Sequence, residues 1–123
     1  AIASSATSEL YGLHILSEGV QDNRLNETRF IIVSKKSEYV AGAGKISICV
    51  QLMHEAGSLY HALSHFIYNG LNMTRIESRP IPGRNWQHQF FIDFDGNLED
   101  GAVHNALLGL KEETLDLKVF GNY

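Results

Sequence analysis

Between residues 45 and 121, the spacing of apolar residues alternates between the period of a strand and the period of a helix. A strand places every second side chain on one face, whereas a helix repeats about every 3.6 residues. The predicted elements are strand 45–52, helix 57–69, strand 71–80, strand 87–94, helix 98–111 and strand 115–119. This β-α-β-β-α-β order predicts the α+β class and a ferredoxin-like sandwich, in which two helices cover one face of a four-stranded antiparallel sheet. The other face of the sheet is left for a partner or for solvent.

The first 34 residues have a different pattern. Apolar residues at steps of three and four predict one amphipathic helix within residues 1–20. The unbroken apolar run Phe30–Val33 predicts a strand covered on both faces. One helix and one strand cannot close a core, and residues 35–44 have the composition of a linker. The sequence therefore predicts a separate piece at 1–34, a linker at 35–44 and the sandwich at 45–123.

Charge and composition exclude several classes of function. Ten Lys and Arg residues against fourteen Asp and Glu residues give a net charge of −4, and residues 45–123 hold six against nine. This balance argues against nucleic acid and against anionic membrane surfaces as partners. No apolar run approaches the roughly 20 residues of a membrane-spanning helix. The single Cys49 cannot form an internal disulfide, and nothing resembles a secretory signal, so we expect a cytoplasmic protein.

A ferredoxin-like sandwich does not by itself define a function. An RNA-binding version needs basic residues on its third strand, whereas residues 87–95 carry two acids. A metal chaperone needs paired thiols in a loop, whereas Cys49 is alone and lies on a strand. His61 and His65 are four apart with His54 upstream, but a third zinc ligand at fixed spacing is missing. We therefore expect solvated helix histidines, no metal and no cofactor.

The segment that opens the first helix of the sandwich, Glu55–Tyr60, is the strongest candidate for a site. Gly57 has no Cβ, so a backbone or a small ligand can approach it closely. A helix start leaves backbone N–H groups unpaired at the positive end of the helix dipole, which suits a carboxylate. The alternative is that Gly57 only permits a tight turn between strand and helix. The residues alone leave both interpretations open.

Two motifs of the sandwich resemble those of one enzyme family. Gly57-Ser58-Leu59-Tyr60 is similar to the Gly-Ala-Leu-Val motif of the ACT regulatory domain of prephenate dehydratase, with Ser58 and Tyr60 replacing alanine and valine. The run Glu77-Ser78-Arg79-Pro80 matches the Glu-Ser-Arg-Pro motif of that domain without change. The chain is therefore identified as resembling prephenate dehydratases, which implies that residues 45–123 are an ACT domain.

The N-terminal residues resemble the end of the catalytic domain of the same family. The similarity includes Leu10–Leu13, Gln21–Asn23 and above all Asn26–Phe30, which contains a Thr-Arg-Phe motif. The family converts prephenate to phenylpyruvate with loss of water and carbon dioxide. The resemblance implies that Thr28, Arg29 and Phe30 belong to the catalytic site, with the Thr28 hydroxyl near the departing group and Arg29 on a substrate carboxylate. It also implies that the larger part of the catalytic domain lies upstream, so that this fragment alone is inactive.

The resemblance further implies feedback inhibition by L-phenylalanine. In the family, two ACT domains pair side by side into a wider sheet and bind this amino acid at their interface. The implied ligand set is Gly57, Ser58, Leu59, Tyr60, Asn72, Met73 and Thr74. The N–H groups around Gly57 to Leu59 receive the carboxylate, Asn72 receives the ammonium, and Leu59 and Met73 contact the ring.

The implied regulatory residues are Glu77, Ser78, Arg79 and Pro80, which couple ligand binding to the neighbouring domain. The alternative for these residues is an ordinary surface ion pair on an edge strand. Two other functions stay open beside the leading one: a free-standing ACT-like sensor for another amino acid, and a structural dimerisation domain without a ligand. A homodimer or a higher homo-oligomer is expected, and the fragment does not indicate whether a chorismate mutase domain accompanies it.

Overall fold

The structure, a computed structural model, describes residues 1–28, 30–36, 41–84 and 86–123. The chain divides into two compact units, Ala1–Val33 and Ser34–Tyr123. Residues 37–40 of the predicted linker lie outside the described residues.

The first unit contains one short helix, α1, at Ser5–Tyr11. The helix ends at Gly12, which has the left-handed φ of 62° and donates its N–H toward the Ser8 carbonyl. No residue of α1 is buried, and a helix of seven residues without a buried face gains little stability in water. The prediction of one amphipathic helix through residue 20 was therefore wrong beyond Tyr11.

The predicted strand Phe30–Val33 is absent from the structure. These residues have no strand assignment, and Phe30 is 88% exposed while Ile32 is fully exposed. A strand needs a neighbour that accepts and donates its backbone hydrogen bonds, and no described segment pairs with this one. An apolar run alone therefore predicted a strand that the described chain does not form.

The second unit has the predicted β-α-β-β-α-β order. Its elements are β1 at Lys45–Gln51, α2 at Ser58–Tyr68, β2 at Met73–Pro80, β3 at His88–Asp95, α3 at Gly101–Glu113 and β4 at Asp116–Asn122. The strands form one antiparallel sheet in the order β2-β3-β1-β4, which places β2 and β4 at its edges. The ferredoxin-like α+β fold is thus confirmed, with element ends displaced by a few residues.

The core lies between this sheet and the helix pair. Ile46, Ile48 and Val50 of β1 are fully buried, and Ile48 pairs with the equally buried Ile92 of β3. Phe66 of α2 is also fully buried. Burial of an aliphatic or aromatic side chain contributes about 1.5–3 kcal/mol, so alternation along the strands is what fixes their faces.

The opposite face of the sheet, called here the outer sheet face, is formed by the residues that alternate with the core. It carries Ser47, Cys49, Arg75, Glu77, Phe91, Asp93 and Phe120. The rings of Phe91 and Phe120 stack nearly parallel with centroids 6.0 Å apart. Burial raises the pKa of the Cys49 thiol, and the Asp116 carboxylate raises it further. This cysteine is therefore more fully protonated at neutral pH than an ordinary one.

Gly109 of α3 lies close to the His65 ring of α2. A Cβ placed on Gly109 would lie 2.4 Å from two atoms of the His65 ring, closer than a real contact allows. We expect Gly109→Ala to lower the free energy of unfolding by about 1–3 kcal/mol, because overpacking outweighs the better helix propensity of alanine. Urea denaturation measures the change.

A double variant tests whether the His65 ring is the cause of the expected loss of stability. In a His65→Ala background the clash is removed, so Gly109→Ala should then stabilise the protein by up to about 1 kcal/mol. A Gly109→Ala variant that is more stable than the parent in the presence of His65 would contradict the close approach.

Candidate functional site

The start of helix α2 has the features that favour a bound carboxylate. Gly57 precedes the helix with φ 89° and ψ −10°, a left-handed conformation that glycine adopts easily. Its carbonyl accepts a hydrogen bond from the His61 N–H at 2.9 Å. The first turn holds no acidic residue. Within the described part of the chain, no acceptor meets the backbone N–H groups of Leu59 and Tyr60, so both are available to an anion.

An open depression of about 100 Å³ lies beside this helix start. Its walls combine apolar side chains with polar ones that carry hydrogen-bonding groups. The lining residues are Leu52, Met53, His54, Glu55, Ser58, His88 and Phe90. Small-molecule sites usually measure about 300–1,000 Å³, so this depression is too small to be a complete one. By itself it would cover only part of a small molecule.

Gly57 and Asn72 lie at opposite ends of the sheet within one chain. Helix α2 begins after the end of β1, where Gln51 pairs with Gln89. Met73, next to Asn72, pairs with Phe94 at the other end. The 11-residue helix between them is about 16 Å long at about 1.5 Å per residue. One chain therefore does not bring the two halves of the predicted ligand set together.

The residues at the second end already have partners in the chain. The Asn72 side chain donates a hydrogen bond to Asp95 Oδ2 at 2.8 Å. Thr74 Oγ1 donates to the Asp93 carbonyl at 3.3 Å. Met73 is half-buried against the core. These contacts hold the start of β2 in place, and they leave the Asn72 amide next to the carboxylate of Asp95.

At the first end, Leu59 and Tyr60 face different surroundings. Leu59 is half-buried and packs against the core. Tyr60 is 65% exposed, and its ring meets the His61 ring edge-on at 5.7 Å between centroids. Tyr60 is thus free to contact a ligand or a second chain, whereas Leu59 presents mainly its backbone.

Glu77 is held between two arginines on the outer sheet face. Its carboxylate accepts a hydrogen bond from Arg79 Nε at 2.6 Å, and Arg75 Nη2 contacts its other oxygen. These two guanidinium groups, Arg79 first, lower the pKa of Glu77 below its ordinary value. Ser78 and Pro80, the other two regulatory candidates, are exposed on β2. The motif therefore forms a local charge cluster on an edge strand.

An NMR titration of the Glu77 carboxyl tests this cluster. We expect a pKa below the ordinary value in the parent protein and a higher one in Arg79→Gln, because the strongest hydrogen-bond donor is lost. A native pKa below the unfolded one stabilises the fold above the unfolded pKa, and that contribution is lost as the pH falls through the native pKa. Arg84→Gln, which alters an exposed cation bonded to Gln87, is the control. An ordinary Glu77 pKa in the parent protein would contradict the cluster.

The catalytic candidates lie in the first unit. Thr28 is exposed, and Phe30 is 88% exposed. Arg29 lies outside the described residues. The described part of this unit therefore presents the Thr28 hydroxyl on a surface and not in a pocket.

His65 of α2 contacts an acidic residue of α3. His65 Nε2 lies 3.0 Å from Glu113 Oε2 of α3, a contact that is an ion pair only when the imidazole is protonated. Among the described residues, no group of three or more His, Cys, Asp and Glu side chains is arranged to hold a metal ion. In the same residues, no helix is long and apolar enough to cross a membrane.

The sequence interpretation missed His88 and Phe90 as parts of the depression. They reach it because antiparallel pairing places the start of β3 beside the end of β1, where Gln89 opposes Gln51. Pairing the predicted strands 45–52 and 87–94 in antiparallel register would have placed both residues next to the helix start.

Comparison with known proteins shows similarity to prephenate dehydratases. The family model for prephenate dehydratase matches residues 1–38. Over 123 residues the chain is 42% identical to a bifunctional chorismate mutase/prephenate dehydratase of Aquifex aeolicus, covering all of this chain and 34% of that protein. It is 33% identical to arogenate dehydratase 1 of Petunia hybrida, covering 32% of that protein. The chain is also similar to the crystal structure of a prephenate dehydratase from Arthrobacter aurescens in complex with L-Phe, with a TM-score of 0.60 and 32% identity. This similarity covers 76% of this chain and 30% of that chain.

The element order and the four-stranded antiparallel sheet define a ferredoxin-like α+β sandwich, which is consistent with the ACT-like fold. The chain spans about a third of the length of the curated relatives that it matches. It belongs to the prephenate dehydratase family and corresponds to a C-terminal part of its members. The resemblance predicted from the sequence motifs is thus confirmed.

Proposed function

We propose that residues 45–123 are an ACT regulatory domain that binds L-phenylalanine between two copies of the chain and inhibits the prephenate dehydratase reaction of the complete enzyme. The observation that carries the proposal is the pair of unpartnered N–H groups on Leu59 and Tyr60 beside a half-apolar depression. The amino acid's carboxylate binds these groups, and its ring lies against the apolar wall. The L-Phe complex of a similar prephenate dehydratase supports this choice of ligand.

A second copy supplies the rest of the proposed site. Asn72 and Thr74 are at the far end of their own chain, so only those of another copy can approach Gly57. Strand β2 is an edge strand, and its outward N–H and C=O groups are suited to pairing with a second strand. The proposed assembly is therefore a homodimer, or a higher homo-oligomer built from it.

Inhibition requires that L-phenylalanine bind one arrangement of the complete enzyme more tightly than another. The cluster of Glu77 with its two arginines lies on the same strand that pairs with the second copy. A change in strand pairing therefore changes the surroundings of this cluster. Glu77, Ser78, Arg79 and Pro80 are proposed to transmit ligand occupancy in this way.

Residues 1–34 are proposed to be the end of the catalytic domain, in a cytoplasmic enzyme. The family's reaction removes carbon dioxide and water from prephenate to give phenylpyruvate. The Thr28 hydroxyl would donate a hydrogen bond or a proton to the departing group, and Arg29 would bind a substrate carboxylate through its planar guanidinium. Both roles depend on the remaining lobes of a catalytic domain, since Thr28 is exposed here.

Isothermal titration calorimetry and thermal unfolding with L-phenylalanine test the regulatory proposal. At a ligand concentration of about 100 times Kd, the folded state gains about 2.7 kcal/mol and the Tm rises. Tighter binding of another amino acid would favour a sensor of different specificity. An unchanged Tm with every amino acid would favour a structural dimerisation domain, and failure of a folded dimer to bind any of them would contradict the proposal.

The 123-residue chain alone is expected to show no dehydratase activity. Thr28 and Phe30 are exposed, so in this chain they neither exclude water nor orient the substrate. Formation of phenylpyruvate from prephenate, followed by absorbance, measures this. Turnover above the uncatalysed rate by the purified chain would refute the expectation.

A further inference from the structure

A continuous line of polar side chains crosses β1, β3 and β2 on the outer sheet face. It begins after β4 at Tyr123, whose hydroxyl is 2.7 Å from Ser47 Oγ on β1. Ser47 Oγ donates to Asp93 Oδ1 on β3 at 2.5 Å. Asp93 Oδ2 is 3.7 Å from Arg75 Nη1 on β2, and Arg75 also contacts Glu77. This set of five residues is called the cross-strand polar chain.

The chemistry of these groups fixes the direction of the hydrogen bonds. An ionised carboxylate only accepts, so the Ser47 hydroxyl uses its one proton on Asp93. Tyr123 must therefore be the donor in its contact with Ser47. A guanidinium only donates, so Arg75 holds Asp93 and Glu77 from its two sides. The contacts thus form one connected series from Tyr123 to Glu77.

Burial differs along the chain of contacts. Asp93 is only 9% exposed, and a buried carboxylate needs partners to remain ionised. The Arg75 and Glu77 side chains are 53% and 33% exposed, and an ion pair so open to water contributes little by itself. Asp93 is therefore the anchor, and the exposed part of the line takes its position from it.

The pairing of β2 with β3 is irregular near Arg75, where the buried and the exposed portions of the cross-strand polar chain meet. The pairing of β2 with β3 shifts between Met73 and Arg75, and this shift sets Arg75 opposite Asp93. Thr74 adds a second link by donating to the Asp93 carbonyl. Among the described residues, β3 is the one strand that pairs with β2, so the links to Asp93 act directly on the strand at the edge of the sheet.

We propose that Tyr123, Ser47 and Asp93 are positioning residues, which hold Arg75 and thereby Glu77 in the geometry that edge strand β2 offers to a second copy. The opposite edge of the sheet thus contributes to the interface in which the amino acid binds. The inference rests on the proposed function for its effect on ligand affinity, whereas the effect on β2 itself does not depend on it.

The test uses Tyr123→Phe and Ser47→Ala, each of which removes one hydroxyl. Native-state hydrogen exchange of the β2 amides should become about threefold to tenfold faster, the effect expected from losing one hydrogen bond, while the α2 amides are unchanged. The Kd for L-phenylalanine should rise by a similar factor. Tyr68→Phe, at an exposed position of α2, and Ser64→Ala, at a half-buried position whose hydroxyl donates to the His61 carbonyl, are the matched controls.

The outcomes separate the inference from the proposed function. Exchange in β2 that matches the two controls would overturn the positioning role. Faster β2 exchange with an unchanged Kd would overturn the link to the ligand interface. Should the parent protein itself not bind L-phenylalanine, the proposed function fails, and the exchange comparison still decides whether the cross-strand polar chain holds β2.

Discussion

Replacement of Gly57 by valine is expected to abolish measurable L-phenylalanine binding, with a loss of affinity of about a hundredfold or more. A Cβ at this position would contact only the His61 ring, at the ordinary distance of 3.6 Å. A steric clash within the chain is therefore not the cause of the expected loss of binding. The cause is the φ of 89°, which a β-branched residue resists. The helix start must rearrange, and each lost hydrogen bond to a carboxylate costs about 1.5–3 kcal/mol.

Gly42→Val is the matched control for this experiment. Gly42 has a similar φ of 78° and no atom near its missing Cβ, so the same backbone strain arises away from the proposed site. Calorimetry should show binding in this variant and none in Gly57→Val, with circular dichroism establishing that both are folded. Parent-like affinity in a folded Gly57→Val protein would remove the helix start from the ligand site.

Replacement of Phe66 by alanine should lower the free energy of unfolding by about 3–5 kcal/mol, the largest stability loss expected for any of these substitutions. Phe66 is fully buried, and its ring meets Phe94 edge-on with centroids 5.1 Å apart. Truncation leaves a cavity between α2 and the sheet and removes this aromatic pair. Since small domains are stable by only about 5–15 kcal/mol, a large part of the chain's stability is at stake.

The neighbouring residue provides the comparison. Ile67 is 64% exposed, and alanine is the better helix former, so Ile67→Ala should change stability by no more than about 0.5 kcal/mol. Urea denaturation followed by circular dichroism measures both variants. Equal losses for the two substitutions would mean that α2 does not bury the face seen in the structure.

The sandwich was predictable from sequence because burial decides its pattern. Ile46, Ile48 and Val50 alternate with polar residues, and the structure buries all three completely. The same kind of pattern failed between residues 13 and 20, where Leu16 is 95% exposed. Apolar spacing predicts a helix only where a surface exists to bury it, and the left-handed Gly12 already ends α1.

The candidate site was predictable only where it is local in sequence. The helix start at Gly57 is contained in a short stretch of chain, so its open N–H groups follow from the turn and the helix alone. His88 and Asp93 act with residues about 40 positions away, through strand pairing. Such contacts depend on the register of strand pairing and on the direction of each side chain. Neither can be read from a single segment of the sequence.

The separation of Gly57 and Asn72 to opposite ends of one chain has a consequence for stoichiometry. A twofold axis repeats every contact, so two chains that join these halves at one end must join them again at the other. Two equivalent crevices then share a single interface. For the proposed dimer we expect a titration that saturates at one molecule of amino acid per chain, with the affinity of the second binding event depending on the first through the shared strands.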